Sequence, residues 1–126
     1  MSEKTPAGRL ALQVVAMPAD TNANGDIFGG WLVSRMDMAA AIEGRYRAKS
    51  RVVTVAIDSM VFLKRVFVGD TVTCYADLLK VGRTSMQFKI EVWTLSLQDE
   101  VHKLVAEGVF TFVAIDDTGN PQAVDR

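Results

Sequence analysis

A single segment of this chain predicts a long helix, and nearly all of the rest predicts strands. Residues 30–46 contain no proline, and no residue before Gly44 disfavours a helix. Apolar side chains recur there at helical spacing, at Leu32, Met36, Ala39, Ala40 and Ile42. No other segment shows this pattern over a comparable length. A lone helix of this kind has to bury its apolar surface against a sheet.

The strands are predicted by alternation of apolar and polar residues, and they span residues 9–15, 51–62, 71–79, 84–97 and 101–115. The clearest alternation lies in residues 84–97, where Met86, Phe88, Ile90 and Val92 share one face. In the last strand, Leu104, Ala106, Phe110 and Phe112 are expected on one face and Val105, Val109 and Val113 on the other. Turn signals at residues 68–70, 81–83 and 98–100 indicate short connections, and therefore a mostly antiparallel sheet.

The predicted fold class is α+β: a five-stranded, mostly antiparallel sheet wrapped around one long central helix. The chain has 126 residues, which supports one core, so residues 1–126 are expected to form a single domain. Residues 1–8 and 117–126 are predicted to be polar tails.

Charge and composition narrow the function. Fourteen Lys and Arg against 15 Asp and Glu give no broad positive field for nucleic acid or membrane surfaces. No apolar run approaches the ~18 residues of a membrane span, and residues 1–9 do not resemble a signal peptide, so we expect a soluble, cytoplasmic protein. One Cys and one His exclude an intrachain disulfide, a Cys/His zinc cluster and a metal site with two His ligands.

A calcium site is also not expected. Residues 20–25 match the start of an EF-hand loop, but the twelfth position is Trp31 instead of a bidentate Glu. We interpret residues 19–30 as a tight loop whose Asn and Asp side chains bond to its own backbone. Catalysis must then use carboxylates, hydroxyls or backbone amides, with no metal and no cofactor.

Two features of the helix are candidates for chemistry. Gly29 and Gly30 precede it, and the N–H groups of a helix N-terminus can bind an anion or oxyanion; the alternative is a tightly packed cap. Asp37 has no basic residue three or four positions away and sits among small apolar residues, where burying an acid for structure alone is costly. The alternative for Asp37 is a solvent-facing edge. Glu43 is expected to pair with Arg47 on the surface.

The spacing of these features predicts a dimer. Eight residues of helix place Asp37 about 12 Å from Gly29, too far for both to touch one carbonyl group. If both take part in one reaction, the carboxylate must meet the glycine amides of another subunit, between two antiparallel helices.

Basic residues near predicted turns are Lys64, Arg65 and Arg83. They could bind phosphates of a large polar ligand, or they could be edge charges that prevent strand aggregation.

The sequence AMPADTNANGDIFGGWLVSRMD at residues 16–37 resembles the signature of hot-dog-fold acyl-CoA thioesterases, most closely the bacterial YciA type. The similarity continues through residues 51–56, 62–65, 68–70, 81–85 and 91–93. The resemblance implies a catalytic dimer, often assembled into a hexamer (a trimer of dimers), that hydrolyses acyl-CoA thioesters; coenzyme A is then part of substrate and product.

The resemblance also implies residue roles. Asp37 occupies the position of the catalytic acid, Asp26 that of a residue holding the water or the carbonyl, and Gly29 and Gly30 those of the amides that polarise the thioester. The nucleotide end of CoA is expected at Gly82, Arg83, Thr84 and Ser85 and neighbouring basic residues. We count Asn22, Asn24, Thr54, Lys64 and Arg65 as further substrate-binding candidates.

Two departures from the family pattern leave acyl preference and nucleotide contacts open: Arg65 stands where relatives often have Pro, and residues 44–47 are unusually basic. Two alternatives to hydrolysis are consistent with this resemblance. The first is a hot-dog hydratase or dehydratase. Such enzymes use an acidic residue together with a His near the start of the helix, where this chain has Phe28. A non-catalytic acyl-CoA-binding module is the other alternative.

Overall fold

The computed structural model describes residues 5–126; residues 1–4 of the predicted N-terminal tail lie outside the described residues. The strands are β1 (Arg9–Val15), β2 (Arg51–Phe62), β3 (Thr71–Val81), β4 (Ser85–Leu95) and β5 (Lys103–Ile115). One long helix, α1 (Gly29–Ala48), lies between β1 and β2, and a short 3-10 turn spans Pro18–Asp20. The predicted fold is confirmed.

The sheet order β1-β3-β4-β5-β2 explains where the helix goes, and all neighbouring strands are antiparallel. Because β1 and β2 lie at opposite edges, the chain between them has to cross the sheet, and α1 does so. The helix contacts all five strands.

Small residues bring the helix close to the sheet. Ala39 and Ala40 are fully buried, and a Cβ at Gly44 would lie 3.7 Å from Met86, Phe88 and Val52. The predicted inward face of β4 forms the floor of the core, together with Phe110 and Phe112.

Bulges account for the places where alternation is imperfect. The register shifts between Leu10 and Leu12 in β1, which explains the irregular pattern there. A second register shift lies between β4 and β5: Val92 pairs with Ala106, whereas the next residue, Trp93, pairs with Leu104. The prediction for β5 is wrong at this point: Val105 belongs to the core, and Leu104 instead lines a surface groove with Trp93.

The segment predicted as a C-terminal polar tail packs against the domain. Val124 is buried and donates its N–H to the Arg83 carbonyl at 2.8 Å, and Gln122 donates to Ala114 at 2.9 Å. A bridge joins Ile115 to Pro121. Backbone hydrogen bonds and the buried Val124 side chain together attach this segment.

Candidate active site

The loop before α1 is shaped by Asn22. Its side-chain oxygen accepts the N–H groups of Asn24 and Asp26, and its own N–H donates to the Asp26 carbonyl at 2.8 Å. A bridge between Thr21 and Ile27 closes the loop. The prediction of a loop bonded to its own backbone is confirmed, and this loop fixes where α1 begins.

The first turn of α1 offers open N–H groups. Phe28 is the N-cap residue and supplies no side-chain hydrogen bond. Among residues 5–126, the N–H groups of Gly29 and Gly30 have no acceptor. These two donors lie at the positive end of a 20-residue helix, and their role as an anion cradle stays a prediction.

Both glycines have an aromatic ring close to the position of a side chain. A Cβ at Gly29 would lie 3.1 Å from the Phe62 ring, and one at Gly30 would lie 3.3 Å from the Phe28 ring. A side chain at either position would require the neighbouring ring to shift by a few tenths of an ångström, so the glycines keep the backbone accessible without such a shift.

Asp37 lies in the middle of α1, half-buried, with one polar partner. Thr54 on β2 donates its hydroxyl to Oδ1 at 2.7 Å. No cation of the described residues forms an ion pair with this carboxylate. One oxygen is therefore held in place, and the other has no protein donor from residues 5–126.

The hydrogen bond from Thr54 is a feature that the sequence did not reveal. Thr54 was predicted only as a substrate-binding candidate. The alternation of β2 carries a signal, because a lone Thr among Val and Ala on the helix-facing side needs a polar partner.

Gly29 and Asp37 do not meet within one chain. They lie eight residues apart on one continuous helix, so they are about 12 Å apart along its axis, as the spacing predicts. Within the chain, Phe62 at the end of β2 covers Gly29, and Thr54 near the start of β2 contacts Asp37. The two functional groups are thus attached to opposite ends of the same edge strand.

That edge strand has an exposed apolar side. Val53, Val55, Ile57 and Val61 are 37 to 54% exposed, and β2 pairs only with β5. A long, exposed, apolar edge strand is a surface that pairs with another strand.

The predicted nucleotide-binding residues lie at opposite ends of the sheet. The turn with Gly82, Arg83, Thr84 and Ser85 is closed by a bond from the Gly82 N–H to the Ser85 carbonyl, near the start of β2. Lys64 donates its N–H to the Val105 carbonyl, near the start of β5. One phosphate cannot contact both groups within a single chain.

Asp26 and Arg65 form an ion pair that joins the loop before α1 to the connection after β2. The Arg65 guanidinium also lies 5.1 Å from the centre of the Phe67 ring. The role predicted for Asp26 in holding water or the carbonyl stays a prediction, since its carboxylate has this partner in the isolated chain.

Cys74 is excluded as a nucleophile. It is fully buried in the core, and burial raises the pKa of its thiol to about 12. The thiolate needed for attack is therefore not formed near neutral pH.

Comparison with known proteins identifies the family. The model of the thioesterase superfamily matches residues 24–100. The acyl-CoA thioester hydrolase YciA of Salmonella typhimurium is 49% identical over 123 residues, which cover 95% of this chain and 92% of that protein. The chain belongs to the thioesterase superfamily, as a YciA-type member.

Solved structures agree with this assignment. A hexameric broad specificity acyl-coenzyme A thioesterase has a TM-score of 0.93 at 48% identity, covering 98% of this chain and 85% of that one. A hexameric thioesterase from Yersinia pestis has a TM-score of 0.92 at 50% identity, covering 97% and 100%. In the part of this chain that the structure describes, no helix is long and apolar enough to cross a membrane.

Proposed function

We propose that this YciA-type thioesterase hydrolyses acyl-CoA thioesters to a free carboxylic acid and CoA. The observation that carries the proposal is the pairing on one helix of two open N–H groups, at Gly29 and Gly30, with a carboxylate held by a single hydroxyl, at Asp37. Oxyanion stabilisation and activation of water are the two requirements of thioester hydrolysis.

The proposed active unit is a dimer formed through β2. Antiparallel pairing of two β2 strands, centred near Ile57, would bring Thr54 and Asp37 of one subunit opposite the Phe62 end of the other strand. Gly29 lies at that end, so each cleft would receive a carboxylate from one chain and amides from its partner. The exposed apolar side of β2 supports this arrangement.

In the proposed mechanism the thioester carbonyl oxygen accepts hydrogen bonds from the Gly29 and Gly30 N–H groups. Each such donor contributes roughly 10² to 10³ in rate. Thr54 holds one oxygen of Asp37, and the other takes a proton from water as the water oxygen bonds to the carbonyl carbon. The tetrahedral intermediate then collapses, the C–S bond breaks, and the CoA sulfur leaves and gains the proton.

A second route starts with attack by Asp37 itself, which would give a mixed anhydride that water then hydrolyses. Single turnover in ¹⁸O-labelled water separates the two. Label in the Asp37 carboxylate indicates direct attack followed by addition of water at the Asp37 carbonyl carbon. Label only in the product acid is expected for general-base catalysis and also for an anhydride that water opens at its acyl carbon, so the first outcome is the one that decides.

Binding of the CoA nucleotide is proposed to involve two subunits. In the β2-paired dimer, Lys64 and Arg65 of one chain approach the end of the partner sheet that carries Arg83. Since the solved neighbours are described as hexameric, we propose further assembly into a hexamer. The cytoplasmic location and the absence of a cofactor stay predictions.

The test is CoA release from a series of acyl-CoA substrates by wild type and Asp37→Asn. We expect the variant to lose at least about 10² in kcat with its fold and oligomeric state intact. Asp99→Asn, on an exposed turn, is the matched control and should keep wild-type activity. Binding of acyl-CoA without turnover by the wild type would instead identify a binding module.

A further inference from the structure

Strand β2 carries a bulge near the end that lies beside the open amides of α1. Between the pairs that Asp58 and Val61 make with β5, β2 has two residues, Ser59 and Met60, whereas β5 has only Gly108. Ser59 adopts the left-handed conformation, with φ of 53°, which is uncommon for a residue other than glycine. Bulges of this kind re-aim side chains and are frequent next to active sites. The side chain that this bulge re-aims is Met60.

The Met60 side chain points into the fold, toward the helix. Its sulfur lies 2.8 Å from where a Cβ at Gly108 would be, and the terminal methyl group of Met36 on α1 lies 3.6 Å from the same point. Met60 is half-buried and packs against the core, whereas the next residue, Val61, is exposed. Because Gly108 has no side chain, it leaves a space between the sheet and the helix, and the ends of two methionine side chains fill that space.

This space lies directly inward of the open amides. The ring of Phe62, two residues after Met60 on β2, lies against Gly29. Met36 follows Gly29 by seven residues, so it lies on the same face of α1, about 10 Å further along the axis. An apolar chain attached to a carbonyl group at the amides would pass Phe62 first and reach Met60 next.

We propose that Met60 determines the length of the acyl chain that the enzyme accepts. Short acyl chains end before they reach Met60. Longer chains occupy the space over Gly108 after the Met60 side chain has rotated away, so that Met60 acts as a displaceable plug. Methionine suits this role because it is unbranched and flexible, and it repacks readily around different partners. The inference rests on the proposed hydrolysis of acyl-CoA, since it assigns the acyl half of that substrate to the space.

The plug makes a prediction that a purely structural methionine does not. Each methylene group that leaves water strengthens binding by roughly fourfold, so long chains gain from entering the space. Displacing Met60 takes away part of this gain, and only for chains long enough to reach it. Changes at Met60 should therefore alter the preference between long and short chains, whereas a loss of packing alone would affect all substrates equally.

The experiment compares kcat/KM for dodecanoyl-CoA with kcat/KM for butyryl-CoA in each variant. Met60→Ala should raise this ratio at least about tenfold over wild type, because the space is then empty. Met60→Phe should lower the ratio, because a larger and stiffer side chain cannot turn aside. Leu12→Ala is the matched control: Leu12 is also half-buried against the core, but on the edge strand at the opposite side of the sheet. Its ratio should equal that of wild type.

A binding measurement separates this inference from the proposed function. Butyl-CoA and dodecyl-CoA thioethers have no carbonyl group and are not hydrolysed, so calorimetry on the intact oligomer measures the same preference without turnover. If wild type hydrolyses neither acyl-CoA but the ratio of thioether affinities shifts in Met60→Ala, the proposed function fails and the role of Met60 stands. Ratios in Met60→Ala and Met60→Phe that equal those of wild type in both measurements, or a shift of the same size in Leu12→Ala, would overturn the role of Met60.

Discussion

The two ends of α1 are completed in different ways. At the C-terminal end, Arg126 and the Lys49 N–H satisfy carbonyls of the last turn. At the N-terminal end, Phe28 supplies no side-chain cap, and the amides of Gly29 and Gly30 have no acceptor in residues 5–126. Every helix leaves such groups unpaired at both ends, so the difference is not a property of helices. The chain itself supplies donors to three carbonyls at one end of α1 and no acceptor to the two amides at the other.

The glycines of α1 show the same contrast. Gly29 has an aromatic ring at 3.1 Å from where its Cβ would be, whereas the nearest atoms at Gly44 would be at 3.7 Å, an ordinary contact. A side chain at the first glycine would crowd the open amides of α1. The second allows close packing but still has room for a methyl group. Substitution by alanine should therefore lower kcat at Gly29 and raise the free energy of unfolding at Gly44.

Gly29→Ala should cause the largest effect, a fall in kcat of about 100-fold, since an added Cβ meets the Phe62 ring and displaces the first amides of α1. Initial rates of CoA release measure it. Phe62→Leu in the same chain removes the obstructing ring and should restore part of the rate. An unchanged kcat in Gly29→Ala would show that the Phe62 ring yields to the added Cβ and that the first amides of α1 keep their position.

Arg126→Gln should lower the free energy of unfolding by about 1 kcal/mol, because two carbonyls at the end of α1 lose a charged donor. Urea unfolding of the variant and of Lys80→Gln, an exposed control, measures the difference. Activity should stay at the wild-type level. Equal stability of the two variants would show that water replaces the guanidinium at no cost.

Gly44→Ala should raise the free energy of unfolding by about 0.5–1 kcal/mol, because alanine loses less backbone entropy in a helix and the site has space for it. The same urea experiment measures this gain, and kcat should not change. Destabilisation at Gly44 would mean that the helix cannot accept even a methyl group against Met86 and Phe88, and the contrast with Gly29 would then fail.

Much of the fold could be predicted because strands and helices leave periodic patterns. The bounds predicted for β1 and β2 are those of the structure, and the predicted end of β5 at Ile115 is correct. The loop at residues 19–30 was recognised by its Asn and Asp side chains, which bond locally. Such features depend on neighbours in sequence, so one sequence is enough to predict them.

Side-chain partners were harder to predict because they depend on how distant elements come together. The predicted pair of Glu43 with Arg47 is wrong: Glu43 pairs with Arg9 on β1, and Arg47 with Asp125. Four-residue spacing on a helix permits a pair, but it does not exclude a better partner from elsewhere. The bond from Thr54 to Asp37 is a contact of the same kind, which is why its role escaped prediction.

Arg47→Gln should give the smallest effect, and one that depends on pH. The hydrogen bond from Arg47 lowers the pKa of Asp125 below its ordinary value. A lowered folded-state pKa stabilises the fold above the unfolded-state pKa of about 3.9, and this contribution is lost as the pH falls through the folded-state value. Thermal unfolding at about pH 6 should therefore show wild type slightly above the variant, and the gap should close near pH 2.

A double-mutant cycle decides which partner matters. Arg47→Gln combined with Asp125→Asn should show a coupling free energy, and Arg47→Gln combined with Glu43→Gln should show none. Coupling to Glu43 would mean that the C-terminal end of α1 is held by its own neighbours. Coupling to Asp125 alone would mean that this end of α1 is held by a segment nearly 80 residues further along the chain. The same segment supplies Arg126, which binds the helix carbonyls.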